Sequence, residues 1–175
     1  MNKFMLKSSV LAALVFAAAS ASAASPQNAN MGVSANVAAN CTISTAPVLF
    51  GDYDPIQGGA LAAAGKVTIT CTKGAVTTIG MSLGANPAGS VRNMSNGTSA
   101  LAYELFHQDD VAVVDGTGTC ADLATVWGTV GSARLTPGAA PSKAARIYSV
   151  CGTVAAGQDV TAGSYSDTVV ASVIF

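Results

Sequence analysis

The sequence predicts an all-β fold, a sandwich or barrel of short strands, and three observations carry that expectation. Apolar residues recur at every second position in several runs. Turn residues punctuate these runs at intervals of about 8–12 residues. No segment carries a capped apolar stripe of helical period.

The elements follow in chain order. Val67, Ile69 and Cys71 alternate with Thr68 and Thr70, the pattern of a half-buried strand with β-branched residues on both faces. Ile79, Met81 and Leu83 alternate with Gly80 and Ser82, and Leu101, Tyr103 and Leu105 with Ala102 and Glu104. Residues 111–114 and 147–151 are short apolar runs. The C-terminal residues 168–175 (TVVASVIF) form the most strand-like segment of all. Turn signals lie between: Asp52-Tyr53-Asp54-Pro55 followed by Gly58-Gly59, then Asn96-Gly97, Asp115-Gly116 and Ala162-Gly163-Ser164. Residues 59–65 (GALAAAG) suit one helical turn at most. With no linker and no internal repeat, the mature chain reads as one domain.

The N-terminus reads as a processing signal. Lys3 and Lys7 give a positive start, 10–19 (VLAALVFAAA) a short apolar run, and Ala21-Ser22-Ala23 a small-x-small cleavage pattern. The run falls short of the roughly 20 apolar residues of a spanning helix. Residues 1–23 are therefore expected to be a signal peptide, cleaved after Ala23 or, nearly as well, after Ala24; the alternative is an uncleaved anchor. No later stretch has the length and apolarity of a membrane span.

The chain holds 8 Lys+Arg against 9 Asp+Glu, and loss of Lys3 and Lys7 leaves it mildly acidic. Without a basic stripe, nucleic acid is not an expected partner. Charged residues make up 10% of the chain, well under the ~25% of ordinary soluble domains. A surface so poor in charge suggests a cover, and self-assembly is the simplest one. The plainer alternative is a small secreted protein rich in Ala, Gly, Ser and Thr.

The 4 cysteines, Cys41, Cys71, Cys120 and Cys151, read as two disulfides in an exported chain. Three pairings are possible. Cys41–Cys71 with Cys120–Cys151 is the preferred one, because each bridge then closes one half of the domain. A zinc site would need close pairs such as CxxC, and none is present. No cofactor is expected.

Catalytic chemistry finds little support. The one histidine, His107, stands beside Asp109 and Asp110, and reads as part of a polar turn rather than a metal or acid–base cluster. No GxSxG, HExxH or phosphate-cradling loop with a lysine occurs, and a lone histidine makes no convincing triad. Asp52 and Asp54 around Tyr53 suit a shaping turn better than a carboxylate pair. Arg92 reads as an isolated residue of a polar loop, bonded to a nearby carbonyl. Three matches to the N-glycosylation pattern, at Asn40, Asn93 and Asn96, read as chance. The protein is not expected to be an enzyme.

Residues 24–30 (ASPQNAN in one-letter code) are polar. Then Met31, Val33, Ala35, Val37, Ala39 and Cys41 fall on one parity, opposite the small or polar Gly32, Ser34, Asn36, Ala38 and Asn40. This is an amphipathic strand of period 2. It is either the first strand of its own sandwich or a donor strand that inserts into another subunit by β-strand addition, and periodicity does not separate the two.

A family resemblance, carried by a series of local patterns, does. Cys41-Thr42-Ile43 precedes Leu49-Phe50-Gly51-Asp52-Tyr53-Asp54-Pro55, and Gly65 leads a strand that ends on Cys71. Arg92-Asn93-Met94, Leu101-Ala102-Tyr103-Glu104-Leu105-Phe106 and Trp127-Gly128 follow. Ala156-Gly157-Gln158 then precedes Gly163-Ser164-Tyr165-Ser166-Asp167-Thr168-Val169. In order and spacing these resemble the spore coat protein U domain family, whose members include subunits of archaic chaperone–usher pili of the Csu type. The resemblance spans roughly 36–175. It departs at Cys151-Gly152, where the family often has an aromatic before the glycine and where Cys120 looks like the cysteine's partner. It departs again at Phe106-His107, where tyrosine is commoner.

The resemblance implies an incomplete immunoglobulin-like β-sandwich, lacking its last strand and completed by donor-strand complementation. Residues 24–39 would be an extension carrying the donor strand Met31, Val33, Ala35 and Val37, and residues 40–175 the pilin domain. The acceptor groove would be edged by Val169, Ala171, Val173 and Phe175. The implied role is a structural pilus subunit in adhesion or biofilm, exported through the periplasm to the cell surface. Its partners would be further copies or sister subunits, a periplasmic chaperone and an outer-membrane usher. The alternative is a secreted monomeric coat or binding module with a complete sandwich.

Overall fold

The computed structural model describes residues 25–108, 120, 123 and 125–175. The expected signal peptide (1–23) and Ala24, Asp109 and Asp110, the expected apolar run 111–114 and the expected Asp115-Gly116 turn lie outside the described residues. The chain divides into two units, Met1–Asn36 and Val37–Phe175. In the first, the described residues 25–36 are exposed and carry neither helix nor strand.

The second unit is an all-β, incomplete immunoglobulin-like sandwich. Its strands are β1 (Cys41–Ala46), β2 (Leu61–Cys71), β3 (Thr78–Met81), β4 (Arg92–Ser95), β5 (Ala100–His107), β6 (Thr125–Val126), β7 (Arg146–Val154) and β8 (Ala171–Ile174). One sheet runs β1-β2-β7-β5-β4, with β6 also paired to β5. The facing sheet, among the described residues, has β3 and β8. All described pairings are antiparallel.

Alternation places the core. Val67, Ile69 and Cys71 of β2, Leu101, Tyr103 and Leu105 of β5, and Tyr148, Val150 and Val154 of β7 are buried on the face toward β3 and β8. Ile79 and Met81 of β3 meet them from the other sheet, with Ala171 and Val173 of β8 partly buried against the cluster. Trp127 is fully buried, and its indole N–H donates to Ile79 O. Residues 128–135 cover the outer edge of β3: Met81 N–H donates to Gly128 O, while Ile79 and Leu135 exchange backbone hydrogen bonds.

Three readings need correction. The 59–65 segment is not a helical turn, because 61–65 continue β2 and pair with β7 from Val150 to Val154. Alanines have weak strand propensity, but the ladder to β7 overrides it. His107 is not in a turn: it ends β5, is buried, and meets the Trp127 ring edge-on at 5.3 Å. Arg92 is not in a loop but opens β4, fully buried. Its guanidinium donates to the carbonyls of Ser82, Met81 and Trp127 and to Glu104 Oε1 at 2.7 Å. The expected bond to a nearby carbonyl is thus present threefold.

Both preferred disulfides are formed, Cys41–Cys71 and Cys120–Cys151. The first joins directly opposed residues of β1 and β2.

The family-like motifs at the chain's far end act as backbone partners. Gln158 accepts from Ala102 N–H and donates to Ala102 O, completing that residue's ladder as a strand residue would. Tyr53 OH donates to Ala155 O and accepts from Gln158 N–H. Asp54 Oδ1 accepts from the N–H groups of Ile56 and then Gln57, which hold its carboxyl below the usual range.

Candidate functional site

The sandwich is open along one side. Among the described residues β8 pairs only with β3, and β1 only with β2. Ser82 N–H donates to Val170 O, which prolongs the β3–β8 ladder. By antiparallel alternation the backbone groups of Val169, Ala171 and Val173 then point away from β3. No described strand pairs with that edge.

Between this edge and the chain that leaves β1 lies a cleft. One wall is residues 45–55, the other residues 160–171, and the two run in opposite senses. The cleft comprises two cavities. One, of about 320 Å3, has Met81, Tyr103, Leu105 and Val150 in its floor. The other, of about 790 Å3, has Leu61, Leu101 and Val154. The floor is the core itself, left without a covering strand.

Local chemistry holds the walls in place. Tyr103 OH donates to Asp167 Oδ2 at 2.6 Å. Asp167 Oδ1 also accepts from Ala85 N–H at 2.8 Å and Asn86 Nδ2 at 3.3 Å. Burial works to raise the Asp167 carboxyl, but the bonds from Tyr103, Ala85, Thr168 and Asn86 outweigh it and hold the group below its ordinary value. Burial first, and then the Asp167 bond and charge, push the Tyr103 phenol well above its ordinary range. Gly84 has φ +88, and a Cβ there would overlap the Asp167 carboxylate. Glycine is thus the residue that lets the 84–86 loop close on that wall.

On the opposite wall, Phe50 meets the Tyr103 ring edge-on at 6.1 Å. A Cβ at Gly152 would lie 2.7 Å from Phe50 Cζ and from Val48 Cγ1. The two side chains therefore rest on bare β7 backbone.

Of the residues expected at an acceptor edge, Val169 and Ala171 line the cleft. Val173 packs partly buried against the core, while Phe175 lies beyond β8 and is 54% exposed. Met31, Val33, Ala35 and Val37 are exposed and carry no strand. The floor residues Met94 and Tyr103 and the wall residues Phe50 and Asp167 all sat within the quoted motifs. What the sequence did not disclose was that these distant motifs meet around one cleft. Among the described residues no group of His, Cys, Asp and Glu is arranged to hold a metal ion, and no helix is long and apolar enough to cross a membrane.

Comparison with known proteins accords with this architecture. Protein U of Myxococcus xanthus is 33% identical over 184 residues, covering 95% of this chain and 94% of its own. A similar fold occurs in the crystal structure of the CsuC–CsuE chaperone–tip adhesion subunit pre-assembly complex from archaic chaperone–usher Csu pili of Acinetobacter baumannii. There the TM-score is 0.53 at 23% identity, over 79% of this chain and 40% of that one. This chain thus spans less than half the length of the solved one. The Spore Coat Protein U domain matches residues 27–172, the greater part of the sequence, and the chain belongs to that family.

Proposed function

We propose that this protein is a structural, non-catalytic subunit of a bacterial surface pilus of the chaperone–usher type, with a role in adhesion or biofilm. In this reading residues 1–23 direct export and are removed. Residues 24–39 form an extension and 40–175 the pilin domain. Met31, Val33, Ala35 and Val37 of one subunit enter the cleft of the next as its missing strand, pairing with the edge at Val169, Ala171, Val173 and Phe175. A periplasmic chaperone holds the cleft before an outer-membrane usher exchanges it for the donor, and the product is displayed at the cell surface.

The observation that carries this reading is the cleft itself, an apolar floor between two walls with an unpaired strand edge. Such an edge is a template for pairing with another chain. Nine residues at about 3.3 Å each extend about 30 Å, comparable to the 11-residue wall 45–55. Burying four small apolar side chains contributes about 4–8 kcal/mol before ordering costs. The exposure of Met31, Val33 and Val37 is consistent with residues awaiting a partner.

The test is deletion of 31–39 in cells that supply chaperone and usher. The deleted chain is expected as a chaperone-bound monomer, without fibres in electron micrographs. Full-length fibres from it would overturn the proposal. The alternative of a monomeric coat module predicts a soluble, cooperatively melting monomer when the oxidised protein is refolded alone, which size exclusion reads directly.

A further inference from the structure

The two cavities of the cleft join at one place, its neck. Val48, Leu49, Phe50, Met94 and Tyr165 line both cavities, so the two meet there. Val48 to Phe50 come from one wall, Tyr165 from the other, and Met94 stands in the floor between them. Both walls are tied to the sheet beside them. Phe50 is seated on Gly152 and against Tyr103. Tyr165 OH donates to Thr161 O within its own wall, and the next residue, Ser166, exchanges backbone hydrogen bonds with Ser95 of β4.

A strand laid along this cleft sends every second side chain to the floor. At the neck it crosses the side chains that both cavities share, and on either side of the neck it crosses one cavity or the other. The apolar parity of the extension reads Met31, Val33, Ala35, Val37, Ala39, with its one flanked alanine at the centre. We propose that Ala35 of a second copy occupies the neck, with Val33 and Val37 filling the cavities on either side, and that Ala35 sets the register of assembly. Because Ala35 is the midpoint of 31–39, the assignment holds for either direction of the inserted strand. It rests on the strand-donation reading above.

The experiment measures binding of a dye-labelled synthetic peptide of residues 30–40 to the purified, oxidised full chain by fluorescence anisotropy. The unaltered peptide is expected to bind. Ala35→Leu in the peptide is expected to weaken binding by about tenfold or more, as overpacking does in a closed site. Val37→Leu and Ala39→Leu are expected to weaken it less. Met94→Ala in the full chain opens the neck and is expected to recover most of the Ala35→Leu loss. Met94→Val serves the same end if the alanine variant loses its native circular dichroism. Failure of the unaltered peptide to bind would overturn strand donation and this register with it. Binding of the unaltered peptide with an equal or stronger loss at Val37→Leu or Ala39→Leu would overturn the register alone, as would an Ala35→Leu loss that neither Met94 variant relieves.

Discussion

Tyr103 donates a 2.6 Å hydrogen bond to Asp167 Oδ2 across a separation of 64 residues in the chain. The same phenol ring meets Phe50 edge-on from the opposite wall. One side chain of β5 therefore touches both sides of the cleft whose floor it helps to form. Both walls are thus braced on the core they fail to cover.

That pair makes stability depend on pH in two windows. Asp167 has a folded pKa below its unfolded value of about 3.9, so its contribution is present above that value and lost as pH falls through the folded pKa. Tyr103 has a folded pKa above its unfolded value of about 10, so its contribution is present below that value and lost as pH rises toward the folded pKa. Denaturant melts from pH 2 to 11 are expected to show both limbs. Tyr103→Phe removes the alkaline limb and lowers stability at pH 7 by about 1–3 kcal/mol. Asp167→Asn flattens the acid limb.

Arg92 satisfies three carbonyls and Glu104 from a fully buried position. Arg92→Met keeps the volume but leaves those carbonyls and the carboxylate without their donor. A loss of about 3–5 kcal/mol is expected, read from the denaturant midpoint. Arg92→Lys is expected to recover little, because a single ammonium does not reproduce the planar fork that serves all four acceptors.

Gly152→Val puts side-chain atoms where Phe50 and Val48 rest. Overpacking here is expected to lower stability by about 1–3 kcal/mol and to push out the 48–50 wall. Limited proteolysis near 48–50 is expected to accelerate relative to the unaltered chain, while cleavage elsewhere does not.

The Cys41–Cys71 bridge closes a loop with a sequence separation of 30. Replacing both cysteines by alanine is expected to lower stability by about 3–4 kcal/mol in the chain-entropy model. Comparison of the oxidised parent with the double variant in urea measures this, with Cys120–Cys151 intact in both.

Much of the architecture was legible in the residues. Val67-Ile69-Cys71 and Leu101-Tyr103-Leu105 announced β2 and β5 because alternation at period 2 is a local property, visible wherever one face is buried. The cysteine pairing followed from the division of the chain into halves. The 59–65 segment was misread because alanine and glycine have no strong preference of their own, and only pairing with β7 makes 61–65 a strand. Arg92 and His107 were read as polar loop residues because burial of a polar group depends on partners far off in the chain. Glu104, Met81, Ser82 and Trp127 supply them for Arg92, and the Trp127 ring packs against His107.

The sequence alone determined that the chain is all-β, built on two disulfides, and provided with an amphipathic run at 31–39. Only the tertiary structure decided that Phe50, Met94, Tyr103, Tyr165 and Asp167 converge on one uncovered cleft. Periodicity and turn chemistry act over a few neighbours and are written in the order of residues. Which strand edge is left unpaired depends on how sheets stack, and that is set by contacts between segments more than 60 residues apart, such as Tyr103 with Asp167.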